Sequence, residues 1–125
     1  MPPSSPSSAG ATYLDKTQRI EDLREAARRA AVRLPVMRQA ILFGSLISGI
    51  PTPRSDADLL IVLDASEHAQ MRDRVPAVLA AMTPLPCPID LFVLTVDEFE
   101  RARREGDAFV REALARGLDL LNPVA

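Results

Sequence analysis

The chain of 125 residues contains a single cysteine, a single histidine and no excess of either charge, its formal net charge being −2. With Cys87 alone, an internal disulfide is excluded, and a reducing cytoplasm fits this usage. No apolar run approaches the ~20 residues that a membrane-spanning helix requires, so no membrane partner is expected. The opening "MPPSSPSSAGAT" lacks the cationic and apolar regions of a secretory signal. It reads as a disordered Pro/Ser tail over residues 1–12, leaving residues 13–125 as a single domain with one modest core. The near-neutral balance gives no electrostatic footprint for nucleic acid, so direct nucleic-acid binding is not expected. Arg19, Arg24, Arg28, Arg29 and Arg33 do cluster, but Glu21, Asp22 and Glu25 alternate with them, as on a solvated helix face.

What is present is a regular alternation of apolar patterns. "DKTQRIEDLREAARRAAVRL" places Ile20, Leu23, Ala27, Ala30 and Leu34 on one helical stripe, with Asp15 or Thr17 as its cap and Pro35 as its end. "RQAILFGS" is a short apolar run closed by Gly44, which suits a buried strand entering a tight turn. A helical turn at "SLISG" and an extended loop at "IPTPRS" should follow. "DADLLIVLD" is continuously apolar after its acids and reads as a strand covered on both faces. "SEHAQMRDRVPAVLAAM" is a helix with Met71, Val75, Val78, Leu79 and Met82 inward, and Pro76 either kinks it or starts its second half. Ile89–Leu94 is a third strand, "VDEFERARREGDAFVREALARG" two helical pieces interrupted near Gly106, and "LDLL" a short final strand. Helix and strand alternate four times, giving an α/β (α+β) fold in which helices pack against a small mixed sheet.

The chemistry lies at the strand entrances. Asp56 and Asp58 flank Ala57 before the second strand, and Asp90 stands at the start of the third. Residues i and i+2 of a strand share a face, so Asp56 and Asp58 aim together, and Asp90 joins them if the two strands are neighbours. Clustered carboxylates repel and raise one another's pKa values unless a hard cation such as Mg²⁺ takes their oxygens, usually sharing its shell with substrate phosphates. Two such ions ~4 Å apart can hold the attacking and leaving oxygens of an in-line displacement. Gly44-Ser45 supplies the complementary half: a glycine turn admits a close ligand, amides at a following helix start favour anions, and the Ser45 hydroxyl can join them. Arg54 and Ser55, just before "DAD", are further candidates for phosphate contact.

"GSLISGIPTPRSDADLLIVL" resembles the Gly-Ser, ten residues, Asp-x-Asp signature of the DNA polymerase beta-like nucleotidyltransferases, and in size the chain is similar to their minimal prokaryotic members. The resemblance covers nearly everything after the tail and includes a third acid in "PIDLFVL". It implies that Gly44 and Ser45 hold nucleotide phosphates, that Asp56, Asp58 and Asp90 bind Mg²⁺, and that Asp90 helps deprotonate the acceptor. Where many members carry a basic residue inside the glycine motif, this chain has Ser48.

The resemblance also implies an activity: transfer of AMP from ATP to a hydroxyl, with release of pyrophosphate. The chain has no room for the extra helical domain with which antibiotic-modifying members hold their acceptor. The short members encoded beside a helical HEPN toxin, which they neutralise by adenylylating a tyrosine, are the better match. An inactive antitoxin that works by covering its partner, and a transferase for a small molecule such as an antibiotic, remain the alternatives. Oligomeric state is left open. His68 and Tyr13 read as solvated residues, Cys87 as a small buried hydrophobe, Asp64 as a strand end, and Asp97 and Glu98 as first-turn helix acids.

Overall fold

The structure, a computed structural model, describes residues 8–44 and 57–122, with side chains from residue 16 onward. In chain order the elements are α1 (Ser8–Arg33), β1 (Met37–Phe43), β2 (Ala57–Leu63), α2 (Met71–Met82), β3 (Ile89–Thr95), α3 (Val96–Arg104), α4 (Ala108–Arg116) and β4 (Leu118–Asp119). The strands form one mixed sheet in the order β3-β2-β1-β4. β1 runs antiparallel to both β2 and β4, whereas β2 and β3 are parallel and joined through α2.

The sheet is the middle of three layers. On one face, Ala57, Leu59, Ile61 and Leu63 of β2 pack with Leu23, Ala27 and Ala30 of α1 and with Val78 and Met82 of α2. On the other, Leu60 and Val62 meet Phe99 of α3 and Val110 and Ala113 of α4. β2 is therefore covered on both sides, as its continuous apolar run requires, and Leu59, Leu60 and Ile61 are fully buried. Each such side chain contributes about 1.5–3 kcal/mol of transfer free energy. Cys87 lies in the first of these two cores, and no helix among the described residues is long and apolar enough to cross a membrane.

Several expectations are corrected. α1 begins at Ser8, inside the segment expected to be a disordered tail, and it passes through Asp15 and Thr17 instead of being capped there. No proline follows Pro6 in this stretch, so nothing bars the backbone from extending the helix N-terminally. α2 is continuous across Pro76; Val78 and Met82 are buried and Val75 packs against the core as expected, but Met71 is exposed and Arg74 and Ala81 are buried. An arginine takes the interior position because every one of its donors finds a partner there, as described below.

The arginines of α1 are also more than a solvated face. Arg29 Nη1 donates to the Met82 carbonyl at 2.6 Å, and Arg33 Nη1 donates to those of Ala81 (3.2 Å) and Thr83 (2.9 Å). These are the last carbonyls of α2, which have no partner inside their own helix and favour cations. Arg24 likewise donates to the Leu120 carbonyl beyond β4. The expected break at Gly106 is present, with φ +73°, and Asp107 then caps α4 by accepting from the Val110 amide at 3.0 Å. The helical turn expected at "SLISG" lies outside the described residues.

Candidate active site

Three chain ends meet at one edge of the sheet: the exit of β1 and the entrances of β2 and β3. Asp58 lies opposite Phe43 across the antiparallel pair and level with Asp90 across the parallel one. By strand alternation both acids share the face of Leu60 and Phe92, while Ala57 is turned into the opposite core. Adjacent strands lie ~4.8 Å apart, so parallel register alone brings the two carboxylates together. Asp58 is half-buried and Asp90 exposed.

Gly44 closes β1 in the left-handed region, at φ +82°. A methyl group built on it would overlap the Asp58 carboxylate, whose Oδ2 lies against the turn. Glycine is required here twice over, for its conformation and for the close approach of that carboxylate. The turn, Asp58 and Asp90 thus form one constellation. Ser45, Arg54, Ser55 and Asp56 lie outside the described residues. Among the described residues, no group of three or more His, Cys, Asp or Glu side chains could hold a metal ion.

The donor set at this edge nonetheless suits a hard cation: two carboxylates in register, with the only histidine, His68, beyond the opposite end of β2. Beneath the acids lie three aromatic rings. Phe43 and Phe109 are in an edge-to-face contact with centroids 5.0 Å apart, and Phe92 is 4.8 Å from Phe109 and 6.0 Å from Phe43. Phe43 is buried, whereas Phe92 and Phe109 are half-buried.

The opposite end of the parallel pair holds a different polar cluster, which the sequence analysis missed. Arg74, only 4% exposed, donates to Glu98 Oε1 (2.6 Å) and Oε2 (3.1 Å), and to the carbonyls of His68 (2.9 Å), Ala69 (3.2 Å) and Val93 (3.0 Å). Those contacts use all five guanidinium N–H groups. Glu98 also closes a capping box with Thr95 at the start of α3. Its hydrogen bonds to Arg74 hold the Glu98 carboxyl below its ordinary pKa, and the same bonds raise that of Arg74 against the opposing cost of burial. The signal was available: Arg74 falls four residues before Val78 on the inward stripe, and Thr95-x-x-Glu98 is a capping-box pattern.

The profile of the nucleotidyltransferase domain family matches residues 20–122. The chain belongs to that family. Over 54 residues it is 44% identical to the bifunctional uridylyltransferase/uridylyl-removing enzyme of Pseudomonas entomophila (strain L48), a stretch that makes up 42% of this chain and 6% of that enzyme. The chain therefore corresponds to a small part of that relative. Its fold is similar to the crystal structure of a candidate nucleotidyltransferase from Sulfolobus solfataricus, with a TM-score of 0.57 and 23% identity, covering 78% of this chain and 82% of the other. In this nucleotidyltransferase domain the family match runs across Gly44, Asp58 and Asp90 and across the Arg74–Glu98 pair alike.

Proposed function

We propose that the domain transfers AMP from Mg-ATP to a hydroxyl group of a partner protein and releases pyrophosphate. The observation that carries this reading is the register of Asp58 and Asp90 on adjacent parallel strands, with the Gly44 turn packed against Asp58. Asp58 and Asp90, joined by Asp56 from outside the described residues, would hold Mg²⁺. The ion would supply charge neutralisation of the phosphates and of the leaving pyrophosphate.

The chain's own groups divide the remaining work. Gly44 lets the Asp58 carboxylate pack against the turn, and the adjoining Ser45 would offer a hydroxyl and an amide to the phosphates. Asp90, exposed on the edge strand, accepts the acceptor's proton as its oxygen bonds to the α-phosphorus and the bond to the β-phosphate oxygen breaks. Catalysis of this kind rests mainly on positioning and electrostatics, with little covalent chemistry for the protein to perform.

With a net charge of −2, the domain has little with which to grip a nucleic acid. A small helical toxin of HEPN type supplying a tyrosine is the acceptor we favour. The uridylyltransferase relative makes UTP the competing donor.

Transfer of label from α-labelled ATP or UTP to such a partner tests the proposal directly. Asp58→Asn and Asp90→Asn should each abolish transfer while circular dichroism stays native. Full activity in both variants would refute the site, and UTP preferred over ATP would replace the donor. Binding of the partner without any transfer would favour an antitoxin that acts by covering its target.

A further inference from the structure

The three rings beneath the acids come from three elements. Phe43 is the last residue of β1 and stands opposite Asp58, on the same face of the sheet. Phe92 lies on β3 two residues beyond Asp90, again on that face. Phe109 comes from outside the sheet, in the first turn of α4. Its ring reaches both of the others, 5.0 Å from Phe43 in an edge-to-face contact and 4.8 Å from Phe92. β2, which carries Asp58, runs between the two strands so bridged.

We propose that Phe109 is a positioning residue of this site. Its ring ties the strand that ends in the Gly44 turn to the strand that carries Asp90, and thereby sets the spacing of the turn, Asp58 and Asp90. The consequence for metal and nucleotide binding rests on the transfer reaction proposed above, whereas the consequence for the geometry of the acids does not. Three observations support the role.

The first is where the sheet needs support. Asp58 and Asp90 form only the second pair of the parallel ladder, after Ala57 and Ile89, and the ends of a ladder are where it frays. A contact across the outer strands restrains that end as the backbone alone does not. The second is how firmly Phe109 is itself placed. Gly106 turns the chain, the Asp107 amide donates to the Ala102 carbonyl at 2.9 Å, and the Asp107 carboxylate accepts from the Val110 amide at 3.0 Å. The third is burial. Val110 and Ala113, each 1% exposed, anchor α4 in the core, whereas Phe109 is half-buried and both of its ring contacts go to the acid-bearing end of the sheet.

Three variants separate this role from simple packing. Phe109→Leu keeps an apolar side chain but removes the ring, and Phe109→Tyr keeps the ring. Val78→Ala truncates the core on the opposite face of the sheet. In ¹⁵N-labelled protein without ligand, the Gly44, Asp58 and Asp90 amides should shift and broaden in Phe109→Leu protein. They should stay near their wild-type positions in Phe109→Tyr protein, and in Val78→Ala protein despite its lower melting temperature. Mg²⁺ together with α,β-methylene-ATP should bind Phe109→Leu protein about tenfold more weakly than wild type, with Phe109→Tyr restoring most of the loss.

Unmoved amides in Phe109→Leu protein, or equal movement in Val78→Ala protein, would overturn the positioning role. Moved amides in Phe109→Leu protein, when the wild type binds neither Mg²⁺ nor the nucleotide analogue, would support that role and overturn the transfer reaction instead.

Discussion

Glu98→Gln isolates the charge on which the Arg74 cluster depends. The substitution keeps the side chain's shape and one acceptor oxygen but leaves a guanidinium, 4% exposed, without a counter-charge. Breaking a buried ion pair from one side costs about 3–5 kcal/mol. Two features reduce that figure here. Glu98 is 38% exposed, so the pair is partly screened, and Arg74 keeps three carbonyl acceptors. A net loss of about 2–4 kcal/mol follows, which at a mid-range urea m-value of ~2 kcal/mol per molar moves the midpoint by roughly 1–2 M.

The asymmetry of the pair sharpens the test. Arg74→Met should cost less than Glu98→Gln, because the carboxylate it strands can be hydrated whereas the guanidinium cannot. Glu100→Gln, which breaks the exposed Arg103–Glu100 pair, should cost under ~1 kcal/mol. Urea titrations followed by circular dichroism compare all three. A Glu98→Gln midpoint within error of wild type, or no larger shift than Glu100→Gln gives, would refute the reasoning.

The same pair sets an acid dependence. The folded-state pKa of Glu98 lies below its ordinary value of 4.5, so its contribution is complete above that value and is lost as pH falls through the lower folded one. A stability profile in which Glu98→Gln protein lacks this acid-side loss checks it. Gly44→Ala should lower stability by about 1–2 kcal/mol from the left-handed backbone alone, and more because the new methyl displaces the Asp58 carboxylate; thermal melts measure the first and Mg²⁺ titration of the variant the second. Arg29→Gln should cost about 0.5–1.5 kcal/mol by removing its donation to the end of α2, seen as faster amide exchange at Ala81 and Met82. Asp90→Asn should remove any stabilisation that Mg²⁺ gives the wild type, seen in thermal melts with and without the ion.

Much of the layer architecture was legible because the strongest local signals agreed with the tertiary answer. The run Leu59–Leu63 could be satisfied only by cover on both faces, and Gly106 followed by Asp107 marks a helix stop and a helix start in adjacent residues. The burial of Arg74 in α2 was not legible, since hydropathy ranks arginine as an outward residue. Its burial depends on five acceptors from the 68–69 loop, β3 and α3, which only the tertiary fold assembles. The arginines of α1 misled for the same reason: alternation with acids describes the helix alone, and the carbonyls that Arg24, Arg29 and Arg33 reach are about fifty to a hundred residues away.

The parallel pair has two polar ends, and their difference bears on function. In open parallel sheets, ligands generally gather at the carboxyl ends of the strands. Here the carboxyl ends of β2 and β3 are closed by Arg74 and Glu98, whose opposite charges satisfy each other and leave no donor over. The amino ends carry Asp58 and Asp90, charges of the same sign one strand apart. An asparagine at either position would remove a charge, and the backbone of a strand entrance would accept one. Gly44 gives up backbone rigidity to admit the Asp58 carboxylate. In the proposed reaction a cation between these carboxylates and the phosphates of a nucleotide would draw on both the paired acids and the glycine turn, which Mg²⁺ titration of wild type against Asp58→Asn protein tests.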